Sequence, residues 1–315
     1  MTRHAPEVTR VVTDVDGIPF SALLCAVPKP RAVLVALHGG AVTSRYFDHP
    51  AHPELSLLRT AAALGVTVLA LDRPGYGDSA PYGDTMGDPE RRVDLGYAAV
   101  DRLLAQLSRG AGLFLMAHSI GCDLGVRMAA DARRTDLLGV ELAGTGHHRH
   151  PRLTTILTTG RPGARGPRTR AEGGGGIYDL LWEPERLYPA DVVGAAGLLS
   201  PGPRYENHVA VHWPREFPHL AARVAVPVHF TLGAYEKVWR AGPEGLADIA
   251  SLFTAAPRVE VAEQAEAGHN LSIGLTATAY HLKVLSFMEE CVTARDNARP
   301  WVGGDTPARE TRRAG

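Results

Sequence analysis

One short segment constrains the fold of this chain more than any other: an apolar run that stops at a serine between small residues. Positions 113–117 are all apolar, and Gly121 follows Ser119 by two positions. A continuous apolar run predicts a buried strand, and the spacing over 124–130 predicts a helix close behind it. A serine on so tight a strand-to-helix turn is held out of the sheet with its hydroxyl exposed.

Further apolar runs alternate with stretches of helical spacing along most of the chain. Buried strands are predicted at 32–37 and 66–71, further strands at 137–142 and 227–232, and a short strand at 258–261. Helices are predicted at 54–64, 89–107, 246–253 and 278–291. Asp16-Gly17 joins two further strand segments, 8–14 and 18–27, in a predicted hairpin. Strands that alternate with helices indicate an α/β fold with a mostly parallel sheet flanked by helices.

The alternation stops near Gly146 and resumes near Arg223. We expect 1–146 and 223–294 to form the core, and 147–222 to form a cap insertion over the carboxyl ends of the strands, where open α/β sheets bind ligands. Within the insertion, 160–176 holds four arginines and ends in four glycines, which predicts a flexible loop. The polar tail at 295–315 is expected to be loosely held.

The overall composition argues against several classes of protein. The formal net charge is -1, with 33 basic against 34 acidic residues, so no nucleic-acid partner is expected. The cysteines, Cys25, Cys122 and Cys291, show no metal or disulfide spacing, as is usual in a reducing cytoplasm. The first residues of the sequence lack the apolar stretch of a signal peptide, so none is expected, and no segment approaches the roughly 18 apolar residues that span a bilayer. We expect a cytoplasmic protein without a membrane partner.

A serine nucleophile needs a base to take its proton and a carboxylate to orient that base. His269 lies after the last predicted strand and before the last predicted helix. Glu236 lies just past the end of the strand at 227–232. Loops at these positions can reach over the edge of the sheet, so we expect both side chains near Ser119.

Two backbone N–H groups are suited to hold the negatively charged oxygen that forms during acyl transfer. Gly40 ends the loop after the strand at 32–37, and its missing side chain leaves its N–H open to a substrate oxygen. A turn that needs a glycine is a compatible explanation of the same residue. The N–H of Ile120, next to Ser119, would be the second donor.

With four segments in this order, the chain resembles the α/β-hydrolase superfamily over 8–294. The matching segments are the oxyanion loop (38–40), the loop after the fourth strand (72–79), the nucleophile elbow (117–121, with Ala117 for the usual first glycine) and the histidine loop (268–269). The order serine, acid, histidine is also the family's order.

The resemblance implies a catalytic triad of Ser119, Glu236 and His269, with Gly40 and Ile120 as oxyanion donors. It also implies an acyl-transfer reaction that needs no metal or other cofactor.

The acid is the point where the chain departs from the family pattern. The family usually places an aspartate after Gly-x-x, whereas Gly233-Ala234-Tyr235 is followed here by Glu236. Some members carry the acid after the preceding strand, but the loop at 143–146 has no carboxylate, and Glu141 lies inside that strand. We favour Glu236, with Glu141 as the alternative. Asp72 is better explained as a turn residue that bonds nearby backbone.

Histidines and aromatic residues of the predicted cap allow more than one interpretation. His147, His148 and His150, and the pair His208 and His212, suggest a metal site, but no acidic or cysteine partner lies at a fitting spacing. His147 or His148 could instead line the pocket. Five aromatic residues either roof the substrate or pack the cap onto the core. They are Trp182, Tyr188, Tyr205, Trp213 and Phe217.

These features predict a serine hydrolase that cleaves a carboxylic ester or thioester through an acyl-enzyme on Ser119. One alternative is an acyltransferase or cyclase of the biosynthetic thioesterase type, for which a carrier-bound acyl group is a candidate substrate. The other is a ligand-binding protein without turnover, because a fold does not by itself imply a function. In both enzymatic cases the partner is a small-molecule acyl ester or thioester.

Overall fold

A sheet of eight strands runs through the part of the chain that the computed structural model describes, residues 7–159, 176–195 and 197–297. The strands are β1 (Thr9–Val15), β2 (Ile18–Cys25), β3 (Val33–Leu37), β4 (Thr67–Leu71), β5 (Leu113–His118), β6 (Leu137–Ala143), β7 (Val228–Gly233) and β8 (Val259–Gln264). The predicted flexible loop, apart from Gly176, and the tail from 298 onward lie outside the described residues.

Helices connect most of the parallel strands. They are α1 (Leu57–Ala63), α2 (Pro89–Leu103), α3 (Gly121–Ala129), α4 (Pro151–Thr159), α5 (Ile177–Trp182), α6 (Tyr205–Ala221), α7 (Gly242–Leu252) and α8 (Ala277–Asp296). The helix predicted at 54–64 is shorter than expected because the Ser56 side chain accepts a hydrogen bond from the Arg59 N–H and so caps α1. None of the described helices combines the length and apolarity needed to cross a membrane.

The sheet has the strand order β1-β2-β4-β3-β5-β6-β7-β8. Neighbours from β4 to β8 are parallel, whereas β1 and β2 pair antiparallel with each other and β2 pairs antiparallel with β4. The predicted mostly parallel α/β-hydrolase fold is therefore confirmed. Because side chains alternate along a strand, Val33 and Val35 of β3 enter one apolar cluster, and Leu34 and Ala36 enter the cluster on the other face.

The described residues between β6 and β7 form three α-helices and add no strand to the sheet. Helix α6 contacts the loop after β6 through Trp213, whose Nε1 donates a hydrogen bond to Thr145 Oγ1 at 2.8 Å. Within the helix, the Trp213 ring stacks on Phe217 at 4.8 Å. At its N-terminal end, Glu206 reaches Arg73 in the loop after β4. The division into a core and a cap at 147–222 stays a prediction.

Candidate active site

A sharp turn between β5 and α3 presents the Ser119 hydroxyl. Ser119 has a φ of 54°, a left-handed conformation that residues other than glycine rarely adopt. The helix then starts at Gly121, earlier than the predicted 124. A Cβ at Gly121 would lie 2.3 Å from the His38 carbonyl oxygen, and one at Gly125 would lie 2.6 Å from the Ala117 Cβ. The small residues around Ser119 therefore allow α3 to pack directly on β3 and β5.

The structure brings the three predicted side chains of the triad together. His269 Nε2 lies 2.9 Å from Ser119 Oγ, and His269 Nδ1 lies 2.8 Å from one Glu236 oxygen and 3.1 Å from the other. Glu236 follows β7 and His269 follows β8, so both stand at the carboxyl edge of the sheet where β5 ends. Both side chains are buried.

The charge of the Glu236 carboxylate determines which ring nitrogen of His269 carries the proton. Burial raises the pKa of the Glu236 carboxyl, but the neighbouring His269 and the backbone N–H groups of Val238 and Trp239 outweigh it, and the pKa lies below its usual value. The charged carboxylate accepts a hydrogen bond, so Nδ1 of His269 carries the proton. Nε2 is then free to accept the proton of Ser119.

The two predicted oxyanion donors belong to residues that line the same cavity as Ser119. In the described part of the chain, neither the Gly40 N–H nor the Ile120 N–H donates to a protein acceptor. The next N–H along the loop, that of Ala41, is already bound to Tyr76 Oη at 3.0 Å. A Cβ at Gly40 would stand 3.1 Å from Ile120 Cγ2, so the space is narrow. Both predicted donors are thus open to an incoming oxygen.

His118 is a site residue that the sequence reasoning missed. Its Nε2 lies 2.9 Å from the backbone carbonyl oxygen of His269, and its ring stacks on Tyr46 at 4.6 Å. Burial, with a contribution from His269, lowers the pKa of His118 well below its usual value. A neutral His118 must donate through Nε2, which holds the His269 loop in place. Only its position beside Ser119 in the turn could have drawn attention to it.

Glu141, the alternative acid, is occupied elsewhere. Its side chain is buried, with one oxygen bound to His229 Nδ1 and the other accepting from Tyr280 Oη at 2.8 Å. The carboxylate that contacts His269 is therefore Glu236. Asp72 accepts from Ser21 Oγ at 2.6 Å and from the Ser44 N–H at 2.7 Å, 51 and 28 positions away. It therefore joins distant segments of the chain rather than, as predicted, bonding the backbone of its own turn.

A family model described as "Alpha/beta hydrolase family" matches residues 33–279, which is most of the chain. The chain belongs to the alpha/beta hydrolase family. It is also 42% identical over 66 residues to "Protein ABHD14A" of Danio rerio, a match that spans 21% of this chain and only 22% of that relative.

Solved structures share the fold of this alpha/beta hydrolase over nearly their whole length. A thermostable carboxyl esterase from Bacillus coagulans superposes with a TM-score of 0.60 at 18% identity, covering 90% of this chain and 99% of the other. An epoxide hydrolase from Vigna radiata superposes with a TM-score of 0.62 at 18% identity, covering 90% and 98%. At this identity the likeness extends to the fold alone.

A cavity of about 560 Å³ opens over Ser119 and His269 of this hydrolase-family chain. Most of its lining is apolar. The larger apolar side chains are Val42, Ile120, Leu153, Leu181, Val209, Val211, Trp213, Val238 and Trp239. Arg149 and Glu206 are the charged residues among those described in the lining.

Of the five aromatic residues considered as a roof, Trp213 lines the cavity. The others pack instead: Trp182 meets Tyr188 edge to face at 5.2 Å, and Tyr205 Oη donates to the Pro74 carbonyl at 2.9 Å. His147 and His148 are not among the lining residues, because they turn toward α7.

His147 and His148 meet an acidic partner that the sequence spacing did not reveal. Asp248 of α7 lies 101 positions beyond His147, and its Oδ2 is 2.7 Å from His147 Nε2 and 3.6 Å from His148 Nε2. Across the described residues, the group offers three possible metal ligands within 4.8 Å of one another. A closed structural zinc site uses four.

Proposed function

We propose that this protein is a serine hydrolase that cleaves a carboxylic ester or thioester through an acyl-enzyme on Ser119. The main support is the continuous hydrogen-bonded series from Ser119 Oγ through His269 to Glu236, which ends at a cavity large enough for a small molecule. A serine that only capped a helix would need neither an imidazole nitrogen 2.9 Å from its Oγ nor two N–H groups without protein acceptors beside it.

The geometry supports the following sequence of steps. His269 Nε2 takes the proton of Ser119 as Oγ attacks the carbonyl carbon, and the oxyanion lies between the N–H groups of Gly40 and Ile120. The tetrahedral species then expels the alcohol or thiol, which takes the proton from His269. Water, deprotonated by His269, attacks the acyl-enzyme, and Ser119 regains its proton as the acid leaves.

The lining of the cavity supports a mainly apolar acyl group. Aliphatic side chains and two tryptophans, Trp213 and Trp239, surround the space above Ser119. Burial of an acyl chain among them contributes about 0.8 kcal/mol per methylene group. We therefore expect kcat/KM to rise with chain length over a series of neutral esters until the cavity is filled.

The proposal is tested by a fluorophosphonate probe and a panel of short, long and aromatic acyl esters and thioesters. Covalent labelling should occur at Ser119 alone, identified by peptide mass, and should abolish hydrolysis. A folded protein that binds the esters but neither reacts with the probe nor turns them over would be the non-catalytic binding protein. Products that form only when a second alcohol or amine is added would instead indicate an acyltransferase or cyclase.

The substitution Gly40→Val tests the oxyanion position. A Cβ at position 40 would lie 3.1 Å from Ile120 Cγ2 and 3.2 Å from Glu206 Oε2, so the new side chain would crowd the part of the cavity that Gly40 and Ile120 line. Loss of one oxyanion donor costs about 100- to 1,000-fold in kcat, and we expect a loss of that order here. Gly87→Val is the matched control, because a Cβ at the exposed Gly87 meets nothing within 4 Å. Full turnover by folded Gly40→Val would contradict the assignment.

A further inference from the structure

A buried arginine lies behind the peptide that joins Gly39 to Gly40. Arg73 follows β4, is 2% exposed, and donates through Nη2 to the Gly39 carbonyl oxygen at 2.9 Å. His38 Nδ1 lies 2.8 Å from the same oxygen. Two side chains thus bind the carbonyl of the peptide whose N–H is the proposed oxyanion donor.

The proton of His38 is fixed by its other ring nitrogen. His38 Nε2 lies 3.2 Å from the Arg73 backbone N–H and accepts its hydrogen bond, so the proton must be on Nδ1. Burial, reinforced by the charge of Arg73, lowers the pKa of His38 well below its usual value. His38 is therefore a neutral donor to the Gly39 oxygen.

The direction of the Gly40 N–H follows from this arrangement. In a trans peptide the C=O and N–H point in opposite directions, and the 39–40 peptide is trans. Because its carbonyl oxygen is held toward Arg73 and His38, the 39–40 peptide directs its N–H to the opposite side. On that side Gly40 lines the cavity that Ser119 also lines. A cation on the carbonyl also polarises the peptide, which makes the N–H a stronger donor.

A carboxylate stands close to the same peptide. Glu206 of α6 accepts from Arg73 Nη2 at 2.6 Å through one oxygen and from Tyr76 Oη at 2.8 Å through the other. The second oxygen would be 3.2 Å from a Cβ at Gly40. A negative charge so near an oxyanion would oppose its formation unless a cation compensates it.

We propose that Arg73 is a positioning residue for the oxyanion hole: it orients and polarises the Gly39–Gly40 peptide and neutralises Glu206 beside it. The inference rests on the proposed serine hydrolase function. Arg73 also links the packing of α6 to the oxyanion site, because its Nη2 binds both the Gly39 carbonyl and Glu206 of α6.

The test compares Glu206→Gln with the double variant Arg73→Met/Glu206→Gln. The pair differs only at Arg73. Glu206→Gln keeps the Arg73 contact with the Gly39 carbonyl but removes its carboxylate partner, whereas the double variant removes both charges. We expect the double variant to lose about 10- to 100-fold in kcat relative to Glu206→Gln, with KM changed by less than about 2-fold, because the donor is weakened rather than removed. The single variant Arg73→Met should be slower still, since it leaves Glu206 uncompensated.

Two inhibitors of equal chain length separate an effect on the oxyanion from a general loss of structure. A trifluoromethyl ketone adds Ser119 Oγ to its carbonyl and forms an oxyanion, whereas the matching methyl ketone binds without doing so. The double variant should lose affinity for the first and keep it for the second. Arg92→Met/Asp123→Asn is the control, because this buried pair (2.8 Å) does not touch the 39–40 peptide.

Equal kcat and equal trifluoromethyl ketone affinity in Glu206→Gln and the double variant would overturn the role of Arg73. Failure of the wild-type protein to react with the fluorophosphonate probe would instead overturn the proposed function on which this role depends.

Discussion

Replacement of Ser119 by alanine should lower kcat by on the order of a millionfold while leaving the fold intact. The hydroxyl is the group that would form the acyl-enzyme, and it is the side-chain group that lies 2.9 Å from His269 Nε2. Alanine tolerates the φ of 54° at this position no worse than serine does, so the unfolding temperature should change little. Ester hydrolysis and thermal unfolding of the purified variant measure the two effects.

Ser251→Ala is the matched control for this substitution. Ser251 is an exposed serine of α7 whose Oγ donates to the Asp248 carbonyl at 2.7 Å, remote from the triad in its contacts. It should retain wild-type turnover and probe labelling. A Ser119→Ala rate above about one hundredth of the wild-type rate would exceed what the oxyanion hole and substrate binding supply by themselves. Ser119 would then not be the nucleophile.

The sheet and the triad positions were predictable because they depend on local patterns. An apolar run such as 32–37 is buried on both faces of a parallel sheet, so its composition alone marks it as a strand. The carboxyl ends of parallel strands share one edge, which is why loops after β5, β7 and β8 converge. Placement of Ser119 and His269 needed no further information.

The features that the sequence did not reveal depend on contacts between distant segments. Arg73 and Glu206 are 133 positions apart, and both look like ordinary charged residues until α6 is placed over the loop after β4. Asp248 likewise becomes a neighbour of His147 only through the packing of α7. The start of α3 was misplaced because the turn at Ser119 is set by close packing of Gly121 on His38, not by helix propensity.

The substitution Glu236→Gln should lower kcat by about 10,000-fold with little effect on folding. The backbone N–H of Val238 donates to Glu236 Oε1 at 2.7 Å, so a glutamine must place its amide oxygen there. Its NH₂ group then occupies the position 2.8 Å from His269 Nδ1 and donates to it. The imidazole proton is forced onto Nε2, which can no longer accept the proton of Ser119. Single-turnover acylation by a chromogenic ester measures the loss.

Glu141→Gln should have the opposite profile, with turnover kept and stability reduced. It removes the charge that binds His229, and loss of a hydrogen bond to a charged group costs about 1.5–3 kcal/mol of unfolding free energy. Burial opposes the charge of His229, but Glu141 outweighs burial and raises the His229 pKa above 6.5. Because the His229 pKa is raised in the folded state, protonated His229 stabilises the fold most at pH values below 6.5. This stabilisation is lost as the pH rises through the folded-state pKa of His229.

The two glutamates therefore separate catalysis from stability. Urea unfolding at pH values on both sides of 6.5 should show the deficit of Glu141→Gln shrinking as the pH rises, while Glu236→Gln follows the wild type more closely. Both carboxylates are buried and each binds one histidine, so burial and pairing alone cannot produce different kinetic outcomes. Only the histidine that also contacts Ser119 transmits the loss to acylation. Slow acylation in Glu141→Gln with normal acylation in Glu236→Gln would reverse the assignment of the acid.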